Sequence, residues 1–356
     1  MALARATIAV AADGGEAPGR HPLLQALREH RHPRDGATHE SADTPSPETR
    51  CGAPLNVGFR VMTFGGERKM AVWYPVTTAE AEFSYANGVV SAVAVDARPA
   101  PCGRVPLVVF SHGYGGCGLQ SLFFTEALAR RGYVVAAPNH ADAHCGIDGP
   151  RAGGGFERPE ASFRDPEQWN DARYAARGQD MRAALDAIFA DPALGAVVDP
   201  ARIGVAGHSL GGYTAMGLVG GWSSWREPRF RAALLLSPYA APFIVHERLP
   251  DLAVPVMYQG GTRDLGITPG IGKGGGAYER TPAPKYYVEF SGVGHFGWTN
   301  FACRGKAVRN CLAANAEAAL VDRYAFAFLD RYVKGDGDTA ELHQRAAGVA
   351  DLRFQE

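Results

Sequence analysis

A chain of 356 residues, 46% hydrophobic and with a formal net charge of −1, is long enough to bury a large core and lacks the basic excess that nucleic-acid binding demands. Nothing in it approaches eighteen consecutive apolar residues, so no membrane span is expected. Six cysteines are ordinary at this length, and none sits in a C-x₂-C pair.

The first 50 residues, rich in Gly, Pro, His, Arg, Asp and Thr, read as a mostly disordered extension, and residues 51–356 as one domain. Met1 to Ala12 lacks an apolar signal core, so a cytoplasmic location with reduced thiols is expected, secretion being the alternative. Val57 to Phe64 and Arg68 to Tyr74 suggest an antiparallel start. Pro106-Leu-Val-Val-Phe110 is the strongest strand signal of the first half, and it feeds the turn Ser111-His-Gly-Tyr-Gly-Gly116. A helix follows over Gln120 to Arg131, stopped by Gly132, then a strand ending at Pro138. Roughly thirty residues separate that strand from the next helix, Ala172 to Asp191, which Pro192 stops; so long a connection reads as a lid or rim, or else as a disordered loop, with Gly153-Gly-Gly155 as a hinge. Strands are then expected at Ala201 to Ala206, Leu234 to Leu236, Val254 to Gln259 and Lys285 to Phe290, and a last helix over Ala313 to Lys334 ends at Gly335. This alternation gives an α/β fold: a doubly wound, mostly parallel sheet flanked by helices, without a large cap, and with its site at the C-terminal edge.

Gly207-His208-Ser209-Leu210-Gly211 lies between a strand and a helix, the context in which G-x-S-x-G forms a nucleophile elbow. An elbow serine needs a base, and the base needs a carboxylate to hold its tautomer. Asp264 follows one later strand and His295 the next, in the chain order Ser, Asp, His. The rivals fail on position: Asp251 precedes its strand, His246 has no strand delivering it, and His208 inside the elbow is expected to pack. The oxyanion hole is assigned to the amides of Leu210 and Tyr114. Substrate contacts are expected from Tyr114, His140, Tyr239 and Trp169. Cys117 and Cys145 fall near the site mouth, and Cys303 and Cys311 are close enough to clip the loop behind His295. Gly266 to Lys273 misses the phosphate-loop spacing and reads as a site loop; no cofactor or metal is expected.

The HGYGG and GHSLGG turns, with Asp264 and His295, resemble the α/β-hydrolase superfamily. Val72-Trp-Tyr-Pro75, Val109-Phe-Ser-His-Gly113 and Arg131-Gly-Tyr-Val-Val-Ala-Ala-Pro138 further resemble bacterial proteins labelled predicted dienelactone hydrolases, kin to platelet-activating-factor acetylhydrolase and cutinase-like polyester hydrolases. The likeness covers roughly residues 56 to 335. It implies a serine carboxylic-ester hydrolase working through an acyl-enzyme on small-molecule or polymeric esters. Short to medium acyl esters are the first expectation, phospholipid or polyester hydrolysis the second, and a non-catalytic ligand-binding protein the rival. Two departures matter: true dienelactone hydrolases have a cysteine where Ser209 stands, and the acetylhydrolases carry their acid where this chain has Ser237.

Overall fold

A computed structural model describes residues 54–149, 158–303, 307, 308, 310, 311 and 315–356. The chain divides into two units, residues 1–44 and 45–356. The expected extension over residues 1–50 and the Gly153 to Gly155 hinge lie outside the described residues.

The strands of the second unit are β1 (Asn56–Phe64), β2 (Arg68–Val76), β3 (Ala81–Ser84), β4 (Val90–Val95), β5 (Val105–Ser111), β6 (Val134–Pro138), β7 (Val198–His208), β8 (Phe230–Leu236), β9 (Val256–Gly261), β10 (Lys285–Phe290) and β11 (Val349–Gln355). They form one sheet in the order β11-β10-β9-β8-β7-β5-β6-β2-β1-β4-β3. From β6 through β10 the neighbours run parallel, whereas β2 joins β6, and β11 joins β10, antiparallel. The central strands are apolar almost throughout because both faces are covered. In β5, Val108 and Phe110 enter one core while Leu107 and Val109 enter the other.

The helices sort by face. α1 (Leu122–Arg130) and α4 (Ala316–Leu329) pack in the first core through Phe123, Phe124 and Leu128 and through Val321, Tyr324 and Phe328. α2 (Ala175–Ala190) presents Met181, Ala184, Leu185 and Ile188 to the second, at helical spacing, and α3 (Leu210–Met216), the elbow helix, joins it. The stops act as expected: Gly132 and Gly335 take left-handed φ of 86° and 82°, and Asp191 before Pro192 is extended. Between β8 and β9 the described residues hold two short helical turns, Ala241–Val245 and Leu249–Asp251, and no cap.

Strand order reverses at β5, which lies between β6 and β7. A crevice opens at such a switch point, at the C-terminal ends of the strands. There Ser111 at the end of β5 pairs with Gly207, so the turn after β5 and the elbow after β7 are neighbours.

Candidate active site

Ser209 holds φ 54° and ψ −115°, a conformation that a non-glycine residue keeps only where its surroundings impose it. The surroundings are glycine. A Cβ on Gly207 would run into the Gly211 carbonyl, and one on Gly211 into the backbone of Ser111. The turn can therefore close only with glycine on both sides of the serine. Ser209 N donates to Leu236 O at 3.0 Å, which ties the elbow to the end of β8.

β9 and β10 end in register, Gly261 opposite Phe290, and so release their loops at the same edge. Those loops bring Asp264 and His295 to Ser209. His295 Nε2 lies 3.0 Å from Ser209 Oγ, and His295 Nδ1 lies 3.1 Å from Asp264 Oδ2. Burial pushes the Asp264 carboxyl up, but hydrogen bonds from His295 and Ser237 and the His295 charge hold it below the usual range. A buried carboxylate kept ionised beside an imidazole, itself beside a hydroxyl, can move one proton from the hydroxyl and stabilise the cation that results.

The turn after β5 is braced from two sides. Gly113 N donates to Gln120 Oε1 at 3.0 Å and Gly115 N to Asp142 Oδ2 at 3.3 Å. Arg177, 2% exposed, donates to His112 O at 2.8 Å, Gly113 O at 3.3 Å and Asp142 Oδ2 at 2.7 Å. Across a trans peptide the N–H points away from the carbonyl, so the grip on Gly113 O turns the Tyr114 amide away from Arg177. Gly113 itself packs against Ser209: a Cβ there would lie 3.5 Å from Ser209 Cβ.

Three of the expected substrate contacts are not at the surface of the site. Trp169 is fully buried, donates to Ser162 O at 2.9 Å and packs among Phe163, Tyr174, Tyr213 and Tyr239. Tyr239 is buried too, with its hydroxyl on Phe163 O at 2.9 Å. His140 has both nitrogens occupied, Nε2 by Ser111 Oγ at 2.8 Å and Nδ1 by Asp180 Oδ2 at 3.0 Å, and burial drives its pKa well below the ordinary value. Residues 158–171 of the insertion are therefore anchored by aromatic packing, and they place Phe163 against the half-buried Tyr114 ring, 5.6 Å between centroids. Trp169→Ala should accordingly lower stability by about 3–5 kcal/mol in chemical denaturation. Below the unfolding transition, turnover of a short ester should change little; a selective rise in KM with stability intact would return Trp169 to the substrate.

Composition and spacing did not single out Gln120 or Arg177, because their roles arise from contacts between distant segments. His208 was expected to pack, and it is buried, but it also bonds: Gln120 Nε2 donates to its Nδ1 at 3.2 Å, and its Nε2 donates to His295 O at 2.8 Å. The Gln120 amide must face this way because its oxygen is on Gly113 N, so His208 is neutral, and burial holds its pKa down to about 3. Leu265 and Phe296, the residues after Asp264 and His295, are 80% and 60% exposed and give the mouth an apolar edge. A cavity of about 270 Å³ behind Asp264, bounded by Thr262, Thr268, Lys273, Tyr287 and Arg353, does not include Ser209 or His295 in its wall.

The expectation of reduced thiols is corrected. Cys117 and Cys145 form a disulfide, Cα atoms 5.6 Å apart, and Cys102 and Cys311 each belong to a disulfide as well. The first bond ties the turn after β5 to the insertion that carries Asp142, and no free cysteine remains among the described residues. Cytoplasmic location loses its support with the thiols on which it rested. Among the described residues no helix is long and apolar enough to cross a membrane, and no group of three His, Cys, Asp or Glu side chains is placed to hold a metal.

Residues 108–354 match the alpha/beta hydrolase family. The chain belongs to that family. Within it, this hydrolase is 24% identical to Cutinase 2 of Thermobifida cellulosilytica over 253 residues, 70% of this chain and 76% of that one. It spans 62% of Cutinase cut1 of Thermobifida fusca, also at 24% identity, with 70% of this chain covered. The match to platelet-activating factor acetylhydrolase of Cavia porcellus is 26% identical but shorter, 42% of this chain and 38% of the relative. The ferulic acid esterase from Streptomyces cinnamoneus superposes with a TM-score of 0.59 over 85% of this chain and 96% of its own, at 23% identity, which is a likeness of fold.

Proposed function

We propose that this hydrolase is a serine carboxylic-ester hydrolase acting through a covalent acyl-enzyme. The observation that carries the reading is the line from Ser209 Oγ to His295 Nε2 at 3.0 Å and from His295 Nδ1 to Asp264 Oδ2 at 3.1 Å, on an elbow whose backbone has no other evident use. His295 takes the Ser209 proton as the oxygen attacks the ester carbonyl, and the amides of Leu210 and Tyr114 receive the negative charge on the carbonyl oxygen. His295 then gives its proton to the leaving alcohol and deprotonates the water that releases the acid. Ester hydrolysis is also the chemistry named by cutinase and esterase relatives. The disulfides fit an oxidising compartment outside the cytoplasm.

The open connection after β8 and the apolar edge at Leu265 and Phe296 favour short and medium acyl esters over long-chain triglycerides. A p-nitrophenyl ester series from acetate to palmitate should peak at the short or middle chain lengths. Activity should not jump when a substrate passes its solubility limit, because no cap has to open; a sharp rise at that limit would overturn the reading of the pocket. Hydrolysis of phospholipid or polyester by the same machinery is the second reading, favoured by the matches to an acetylhydrolase and to cutinases.

A further inference from the structure

Ser237 follows the last residue of β8, is wholly buried, and has a left-handed backbone with φ 44°. Such a conformation strains a serine unless its neighbours determine it. Here they do: Ser237 N donates to Gln259 O at 2.8 Å, pinning the end of β8 to β9, the strand that delivers Asp264. The hydroxyl then reaches two members of the triad. Ser237 Oγ donates to Asp264 Oδ2, and the same oxygen lies 3.0 Å from His295 Nδ1. Nδ1–H thus faces two oxygens, Asp264 Oδ2 and Ser237 Oγ, that are bonded to each other.

A carboxylate turns easily about its last bond, and one contact with an imidazole leaves that rotation open. A second donor on the oxygen that meets the imidazole closes it, and a hydroxyl donating to a carboxylate makes one of the stronger hydrogen bonds available. We propose that Ser237 is a positioning residue of this site, seating the Asp264 carboxylate against His295 and sharing its contact with Nδ1–H. This rests on the reading of Ser209, His295 and Asp264 as the triad. Ser237 acts through Asp264 and His295 and has no role toward the substrate, so its loss acts on kcat and on pH dependence, not on KM.

Two variants separate the hydroxyl from the backbone. Ser237→Ala removes the hydroxyl and keeps a Cβ, while Ser237→Gly removes it and accepts the left-handed φ without strain. Both should lower kcat about tenfold with KM changed less than twofold. A carboxylate that loses a donor holds a proton more strongly, so the Asp264–His295 pair takes up its proton at higher pH. The acid limb of kcat/KM should therefore move up by about half a pH unit or more in both variants. Wild-type kcat and an unmoved limb in the two variants, or a change confined to KM, would overturn the proposal. Labelling of wild type by an active-site phosphonate is run alongside. If wild type hydrolyses esters and carries no adduct on Ser209, the triad reading fails and takes this proposal with it; if it is labelled and the limb does not move, only the role of Ser237 falls.

Discussion

Ser209→Ala should lower kcat for a soluble p-nitrophenyl ester by about 10⁶, to the residual level that binding and oxyanion donors supply without a nucleophile. The effect is large because the serine has no understudy: His295 Nε2 points at Ser209 Oγ, and the oxygen that would replace it is water without a strained turn to hold it. The same experiment has a chemical arm. A fluorophosphonate should add one equivalent to wild type, all of it on Ser209, and none to the alanine variant. Active wild type whose intact mass shows no adduct, or an adduct at another residue, would falsify the assignment. Loss of activity with the helix content and melting transition unchanged would separate chemistry from folding.

The central architecture was legible because it rests on local pattern. Pro106 to Phe110, inside the observed β5, and Leu234 to Leu236 read as strands since a parallel strand covered on both faces needs no polar alternation, and the stops at Gly132, Pro192 and Gly335 act through backbone geometry alone. The edges were not legible. β3 and β4 are short and carry exposed residues at their ends, and β11, with Asp351 and Arg353 in it, is stabilised by pairing with β10 more than by burial.

The site divides in the same way. Ser209, Asp264 and His295 could be placed because each sits at a strand end whose position the sequence states, and the structure brings all three together. Trp169, Tyr239 and His140 were misplaced because an aromatic or a histidine near a site in sequence says nothing about which way it faces. Tertiary contacts decided that Trp169 and Tyr239 fill a core and that His140 holds Ser111 and Asp180. Gln120 and Arg177 carried no signal at all, since a glutamine at a helix start and an arginine on a helix are ordinary until the segments meet, and Ser237 stood out only as the place where the acetylhydrolases carry their acid.

Asp264→Asn is the sharpest test of how the acid is seated. It should lower kcat by about 10⁴, because an amide can donate to His295 Nδ1 and so hold the ring in the tautomer that cannot accept the Ser209 proton. Packing should survive, since the two side chains are nearly isosteric, and KM should stay within a few fold. An asparagine amide has no proton to lose in the working pH range and cannot supply the missing charge, so the loss should not be recovered by raising the pH. The tenfold effect expected for Ser237→Ala is smaller because a hydroxyl positions charge without supplying it. A carboxylate placed at 237 would supply it. Ser237 Oγ already lies 3.0 Å from His295 Nδ1, so Asp264→Asn combined with Ser237→Asp should recover at least about tenfold over Asp264→Asn alone, an increment of about 1.4 kcal/mol in transition-state stabilisation. Most of wild-type kcat surviving in Asp264→Asn, measured with a soluble ester, would move the acid elsewhere, to Glu247, Asp251 or a carboxylate of the 141 to 171 insertion. Of these, Asp142 is engaged by Arg177 and the Gly115 amide, and Asp251 precedes β9 and so belongs to the opposite edge of the sheet, whereas the Asp264 carboxylate lies 3.1 Å from His295 Nδ1.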